Sequence, residues 1–427
     1  MYDVVVVGGG ASGMMAAIAA ARTGARVVVL EKNKELGAKL QISGGGRCNI
    51  LNAEYDLPIL LSHYTSAAKS LYPTFSIFSV AETVDFFRDI GIEIVVEERK
   101  RAFPSTHRAT DVCAALVREL DRLGVEVRLG VEVRELQMGD TSESTPQIIA
   151  GVKVRGEKDL IQGKRYILAT GGLSHPETGS TGDGFEFLRV LGHTVHTPTP
   201  GLVPLRSSTT WVHALSGQSI EGAKMTWRVD GQVVKVVKNT PGEFQNRILC
   251  THTGLSGPTI LHQASAVREW LEEGEVVLEL DLYPNTDHGA LDRQVLEKFN
   301  AAPNKQLGNI LSDIYPGRLL EMLIISTDLT RLDTPVHSVP KDARKRIVGM
   351  LKALPITITG LMGYDKAVVA NGGLELSQID MRTMRSKVMT NLSITGDLLD
   401  IERPSGGYSL QLCWTTGYVA GVSAAGK

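Results

Sequence analysis

Six residues near the N-terminus, Gly8-Gly9-Gly10-Ala11-Ser12-Gly13, carry glycines at GxGxxG spacing, and Glu31 follows 18 residues after the last of them. The set suits a dinucleotide. Gly8 permits a tight turn, Gly10 lets the backbone approach a pyrophosphate, and Gly13 allows a helix to pack closely on a strand. A carboxylate at Glu31 can accept both hydroxyl protons of an adenosine ribose, which favours a free 2′-hydroxyl and so FAD or NAD over NADP. A second cluster, Ser43-Gly44-Gly45-Gly46-Arg47-Cys48-Asn49, can set backbone donors and a cation against a flat or anionic ligand; a Gly/Ser linker would be longer and lack the Arg-Cys-Asn ending. Beside a flavin, the Cys48 thiol could donate a proton or form an adduct, or it could be a small packed residue. His252, in Thr251-His252-Thr253-Gly254-Leu255-Ser256-Gly257-Pro258, has the near-neutral pKa of a general acid, or it fixes its own glycine turn.

These residues need elements to hold them. Tyr2–Val7 reads as a short buried parallel strand, followed by an alanine-rich helix to about Thr23 and a second strand over 27–30. Helices are predicted over 81–90 and 109–123 and an alternating strand over 125–133. Alternation continues over 148–169 and closes at Ala169-Thr170-Gly171-Gly172, small residues where a returning strand would pass a cofactor. Gly179-Ser180-Thr181-Gly182-Asp183-Gly184 opens a helix over 185–191. From about His193 the texture turns to proline and β-branched residues, with alternation around Val203, Trp211, 227–229 and 233–237, so a β-rich insert is expected. Helical spacing then covers 288–325, and a basic helix surrounds Arg344-Lys345-Arg346. Near the C-terminus a strand over 387–394 leads into Thr395-Gly396-Asp397, and Ser405-Gly406-Gly407-Tyr408 opens a last helix. A chain returning to complete its first sheet would put Asp397 beside a ribityl or pyrophosphate group and the Gly406 turn against a flavin ring.

The 427 residues allow about two to three domains. A formal net charge of −2 gives no global pull toward nucleic acid or an anionic membrane, although a strip formed by Lys100, Arg101, Arg382, Arg385 and Lys387 would favour RNA. The four cysteines are far apart with no CxxC pair, so neither a metal site nor a disulfide framework is signalled and a reducing cytoplasm is expected. The first apolar stretch is too short for a signal peptide and no run of about 18 apolar residues occurs, so the chain is read as starting at Met1 with no membrane span.

Taken together, the motifs resemble the BaiN/RdsA family of FAD-dependent oxidoreductases, which includes proteins named as aminoacetone oxidases. The match spans nearly the whole chain, and its most specific part is Ser43-Gly44-Gly45-Gly46-Arg47-Cys48-Asn49. The resemblance implies an α/β fold: a Rossmann-type FAD domain from both chain ends (1–192 and 356–427), a β-barrel-like insert (193–285 with 340–355) and a small helical insert (286–339). It further implies FAD contacts at Ala11 and Ser12, at Glu31 and Lys32 by the ribose, and at Val133 by the adenine. Lys39, Ser43, Gly44, Gly45, Arg47 and Cys48 would serve the flavin side, with Ala169, Thr170, Gly171, Gly396, Asp397, Gly406, Gly407 and Tyr408 closing the site. Ser409 departs from the family, which usually has Asn there. Since no second GxGxxG with helix and acid occurs in the insert, NAD(P)H would act transiently, through the substrate cleft.

Three activities follow as expectations. The first is reduction of an activated C=C bond by NAD(P)H, with uridine in ribosomal RNA as a candidate substrate. The others are an oxidase of a small amine such as aminoacetone, and a flavin-containing RNA-binding or scaffold protein. No stable protein partner is expected.

Overall fold

The computed structural model describes residues 1–139, 147–235, 247–315 and 317–426. The chain forms two compact units, one from 1–200 with 364–427 and one from 201–363.

The first unit is built on a seven-stranded sheet. Its strands run in the order Ile379–Asp380, Arg385–Ser386, Leu392–Ile394, Gly163–Leu168, Tyr2–Val7, Val27–Glu31 and Glu126–Leu129. The five strands from Leu392–Ile394 to Glu126–Leu129 are parallel, with Val5 opposite both Val28 and Tyr166. A strand buried on both faces has no polar side to show, which is why Tyr2–Val7 reads as a valine run. One face is covered by two helices, Ala11–Arg22 and Tyr408–Ala424, so the first and last helices of the unit are neighbours. Trp414, fully buried on the last helix, packs edge-on against Phe87 at 5.1 Å and donates its indole N–H to the Ile50 carbonyl at 2.9 Å.

The alternation over 125–133 breaks into two elements. Glu126–Leu129 stays in the sheet, whereas Val133–Met138 leaves it to pair with Ile149–Val154 in a two-stranded ribbon. The break falls at Gly130, whose φ of +71° turns the chain; its N–H donates to the Asn33 carbonyl and that of Val131 to the Glu31 carbonyl.

The second unit holds an eight-stranded antiparallel sheet, in the order Ser219–Glu221, Arg247–Thr251, Gly254–Ser256, Leu205–Ser207, Leu354–Leu361, Val276–Asp281, Lys224–Val229 and Gln232–Val234. Val236 and Val237, the end of the expected alternation, lie outside the described residues. The basic helix is Lys341–Lys352, and it is more than a solvated face. Arg344 pairs with Asp292 at 2.9 Å, and Lys352 with Asp281 at 2.7 Å. Among the described residues no helix is long and apolar enough to cross a membrane, and no cluster of His, Cys, Asp and Glu could hold a metal ion.

Candidate functional site

The carboxyl ends of the first unit's parallel strands open on a cavity of about 580 Å³, and every residue lining it belongs to that unit. Such crevices are where open α/β sheets bind ligands. The glycine turn forms its floor. Gly8 has φ +103°, and a Cβ there would sit 2.5 Å from the Ala169 carbonyl oxygen. At Gly13 a Cβ would come within 1.9 Å of the Gly8 carbonyl oxygen, so this glycine serves helix-on-strand packing behind the wall. Gly10, Ala11 and Ser12 line the cavity itself. The helix they open has no side-chain cap and no acid in its first turn, which leaves its N–H groups and dipole to an anion.

Glu31 marks one end. Its buried carboxylate accepts from the N–H of Gly9 at 2.7 Å and of Asn33 at 2.8 Å, and a carboxylate so held keeps lone pairs for a further donor. Val131 and Val133 line the same wall. Lys32 also lines it, but its ammonium is engaged by Asp183 at 2.7 Å and Thr181 at 2.5 Å. Burial alone would push the Asp183 carboxyl up; Lys32 and Thr181 outweigh that and hold it low. The Asn33 and Asp183 roles come from segments far apart in sequence, so no single motif displayed them.

The other end gathers the remaining glycine clusters. Ser43, Gly44 and Gly45 line it, with Gly44 and Gly45 both left-handed at φ +58° and +69°. Opposite lie Gly406 and Gly407; a Cβ on Gly407 would sit 2.2 Å from the Leu51 carbonyl carbon. With its amide oriented to match its neighbours, Asn49 fixes this turn, donating to the Ala102 and Leu51 carbonyls and accepting from the Gly407 N–H at 3.1 Å. The last helix also lacks a side-chain cap and a first-turn acid, so a second bare helix N-terminus meets the cavity through Ser409 and Leu410. Ala169, Thr170, Gly171, Lys39 and Asp397 complete the wall.

Five of the expected contacts do not line the cavity: Gly13, Arg47, Cys48, Gly396 and Tyr408. Cys48 is fully buried, and burial pushes its thiol up to about 12. Arg47 pairs with Glu97 and lies over the Phe103 ring at 4.1 Å. Gly396 positions the turn before Asp397, donating its N–H to Thr416 Oγ1 at 3.1 Å, and the Tyr408 carbonyl accepts from the Tyr64 hydroxyl at 2.8 Å. His252 lies in the second unit, exposed on the turn between Arg247–Thr251 and Gly254–Ser256. Cys413 lines the cavity although no sequence motif marked it, and burial pushes its thiol up to about 12 as well.

The residues present fit FAD. The cavity volume lies in the ordinary range for small-molecule and cofactor sites. A buried carboxylate with lone pairs to spare stands at one end and two uncapped helix N-termini open on the space, while the buried Thr170 hydroxyl has no partner in the protein.

The model of the HI0933-like protein Rossmann domain matches residues 2–423. The 3-dehydro-bile acid delta(4,6)-reductase of Clostridium scindens is 29% identical over 428 residues, spanning 100% of this chain and 99% of that protein. The ribosomal RNA dihydrouridine synthase of Haemophilus influenzae is 28% identical over 425 residues, spanning 98% and 97%. Among solved structures, the 3-ketosteroid delta1-dehydrogenase from Sterolibacterium denitrificans, in complex with 1,4-androstadiene-3,17-dione, matches with a TM-score of 0.56 over 99% of each chain. At 14% identity that likeness speaks to the fold.

Proposed function

The chain belongs to the HI0933-like family of FAD-dependent oxidoreductases, and from that premise we propose that it reduces an activated C=C bond with electrons from NAD(P)H. The observation that carries the proposal is that two relatives spanning the whole chain bear names for reductions of unlike molecules, a bile acid and a uridine in ribosomal RNA. Those two names have a reduction in common and differ in the acceptor, which supports reading this chain as a reductase whose acceptor is open.

FAD, when bound, supplies the hydride chemistry. The chain's own residues bind and orient it. Glu31 would hold the adenosine ribose, the Gly8–Ser12 turn would take the pyrophosphate, and the Gly44–Gly45 and Gly406–Gly407 turns would lie on the flavin side. The uncapped start of the last helix would favour negative charge on the bound ring. Cys413 keeps its proton at neutral pH, so it lines the cavity as a neutral group.

Uridine in ribosomal RNA is one acceptor to test and an enone bile acid the other. In the expected basic strip, Lys100 pairs with Glu54 at 2.5 Å and Arg101 with Glu97 at 3.7 Å, while Arg385 and Lys387 donate to Ser423 and to the Ser377 carbonyl. These engaged cations leave the choice of acceptor to experiment. Four free cysteines suit a reducing cytoplasm, where NAD(P)H is held.

The test is anaerobic. Purified holoenzyme is bleached with NADPH or NADH, then mixed with unmodified ribosomal RNA, an enone bile acid, or air. The proposal expects bleaching by a nicotinamide and reoxidation by one C=C acceptor faster than by buffer. Bleaching by an amine and by neither nicotinamide would replace it with an oxidase. A flavin that no donor reduces would leave a scaffold.

A further inference from the structure

We infer that Arg403, which does not itself line the cavity, is a positioning residue for the cofactor: from behind the wall it fixes the Asp397 carboxylate and the first turn of the last helix in one arrangement toward FAD. The inference rests on FAD occupying the cavity.

The side chain of Arg403 is 0% exposed, and each part of its guanidinium is spoken for. Nε donates to Ser409 Oγ at 3.1 Å, Nη1 to the Ile401 carbonyl at 2.7 Å, and Nη2 to Asp397 Oδ1. Two of these acceptors belong to residues that line the cavity, Asp397 on the turn after Leu392–Ile394 and Ser409 in the last helix. From the other side Lys39 reaches Asp397 Oδ2 at 3.3 Å and Ser174 Oγ at 2.5 Å. The carboxylate is thus clamped one oxygen per cation, and the clamp ties the stretch from Asp397 to Ser409 to Lys39 and Ser174, two segments far from it in sequence.

A buried guanidinium is costly unless its charge is matched, and so is a buried carboxylate. Each makes the other tenable. Burial by itself would push the Asp397 carboxyl up, but Arg403 first and Lys39 second outweigh it and hold the group below its ordinary value. Cys413 also faces Asp397, and its raised thiol stays neutral over the same range. Asp397 therefore remains an acceptor-only group at neutral pH, able to accept a hydrogen bond from a cofactor hydroxyl while both cations hold it in place.

Removing Arg403 leaves burial opposed by Lys39 alone, so the carboxyl rises and protonates as the pH falls. A residue that only filled space would loosen the cofactor equally at every pH. The experiment follows release of FAD, as the rise in flavin fluorescence, from diluted holoenzyme between about pH 5.5 and 8.5. Wild type should give a flat profile. Arg403→Met should release FAD increasingly fast as the pH falls, by about tenfold to a hundredfold at the acid end, and Arg403→Lys should restore much of the flatness. Asp397→Asn, which mimics the neutral side chain, should release FAD quickly with no pH dependence. An Arg403→Met profile parallel to wild type overturns the inference. If that variant does not fold, an Asp397→Asn protein that retains FAD like wild type overturns it too. A wild-type protein that never carries FAD would instead defeat the cofactor reading itself.

Discussion

Cys48 stands two residues after a run of three left-handed glycines, past Arg47, and is itself left-handed at φ +59°. That geometry turns its thiol into the core, where Ser43 contacts it and burial raises its pKa. A nucleophile or acid must reach the reacting atoms, and this one does not line the cavity. We therefore expect Cys48→Ala to keep its rate of flavin reduction by NAD(P)H within about threefold while losing about 1 kcal/mol of stability from the smaller side chain. A drop of a hundredfold or more in stopped-flow bleaching would return the thiol to the chemistry. The contrast with Gly8, Gly10 and Gly13 explains what a sequence can display. The left-handed turn at Gly8 and the contact of Gly13 with the Gly8 carbonyl lie within one short segment, so type and spacing carry them. The direction of Cys48 and Arg47 depends on how three glycines bend the chain and on Glu97 and Phe103, some fifty residues away. Arg403 belongs to no motif, and its role shows only once the fold turns Asp397 and Ser409, each six residues away, onto its guanidinium and brings Lys39 to the same carboxylate.

The first and last helices reach the cavity with bare N-termini because their backbones lie unusually close. On Tyr408–Ala424, a Cβ added at Gly417 would stand 2.4 Å from the Ser12 carbonyl oxygen, and one at Gly421 would stand 2.3 Å from that of Ala16. Glycines four apart share one helix face, so the pair makes the groove into which Ala11–Arg22 fits. Gly421→Val should force the helices apart and lower stability by about 1–3 kcal/mol, read as the urea midpoint of the holoprotein. It should also weaken FAD retention, since both N-termini move, although residue 421 is two to four turns from the cavity residues of its helix. An unchanged midpoint would mean that the close approach is dispensable. The strand–turn–helix at the start and the glycine-led helix at the end were legible because helix starts and buried strands have local signatures. Their adjacency was legible only as the need for a returning chain to complete the sheet. The break at Gly130 was not, because the carbonyls that anchor it belong to the neighbouring segment Glu31–Asn33.

At the scale of the molecule, both chain ends build the unit that holds the cavity, while residues 201–363 form a sheet and core of their own. A ligand stabilises the structure that binds it by RT ln(1 + [L]/Kd), about 2.7 kcal/mol at a hundredfold excess over Kd. That free energy enters through the residues lining the cavity, all of them in the first unit. Hydrogen exchange with and without saturating FAD should therefore show slower opening of Tyr2–Val7 and Gly163–Leu168, with little change in Lys224–Val229 and Val276–Asp281. Protection that rises equally in all four strands would mean that the two units open as one cooperative body. In that case an insert residue such as His252 could influence the flavin through the stability of the whole chain, although it does not line the cavity.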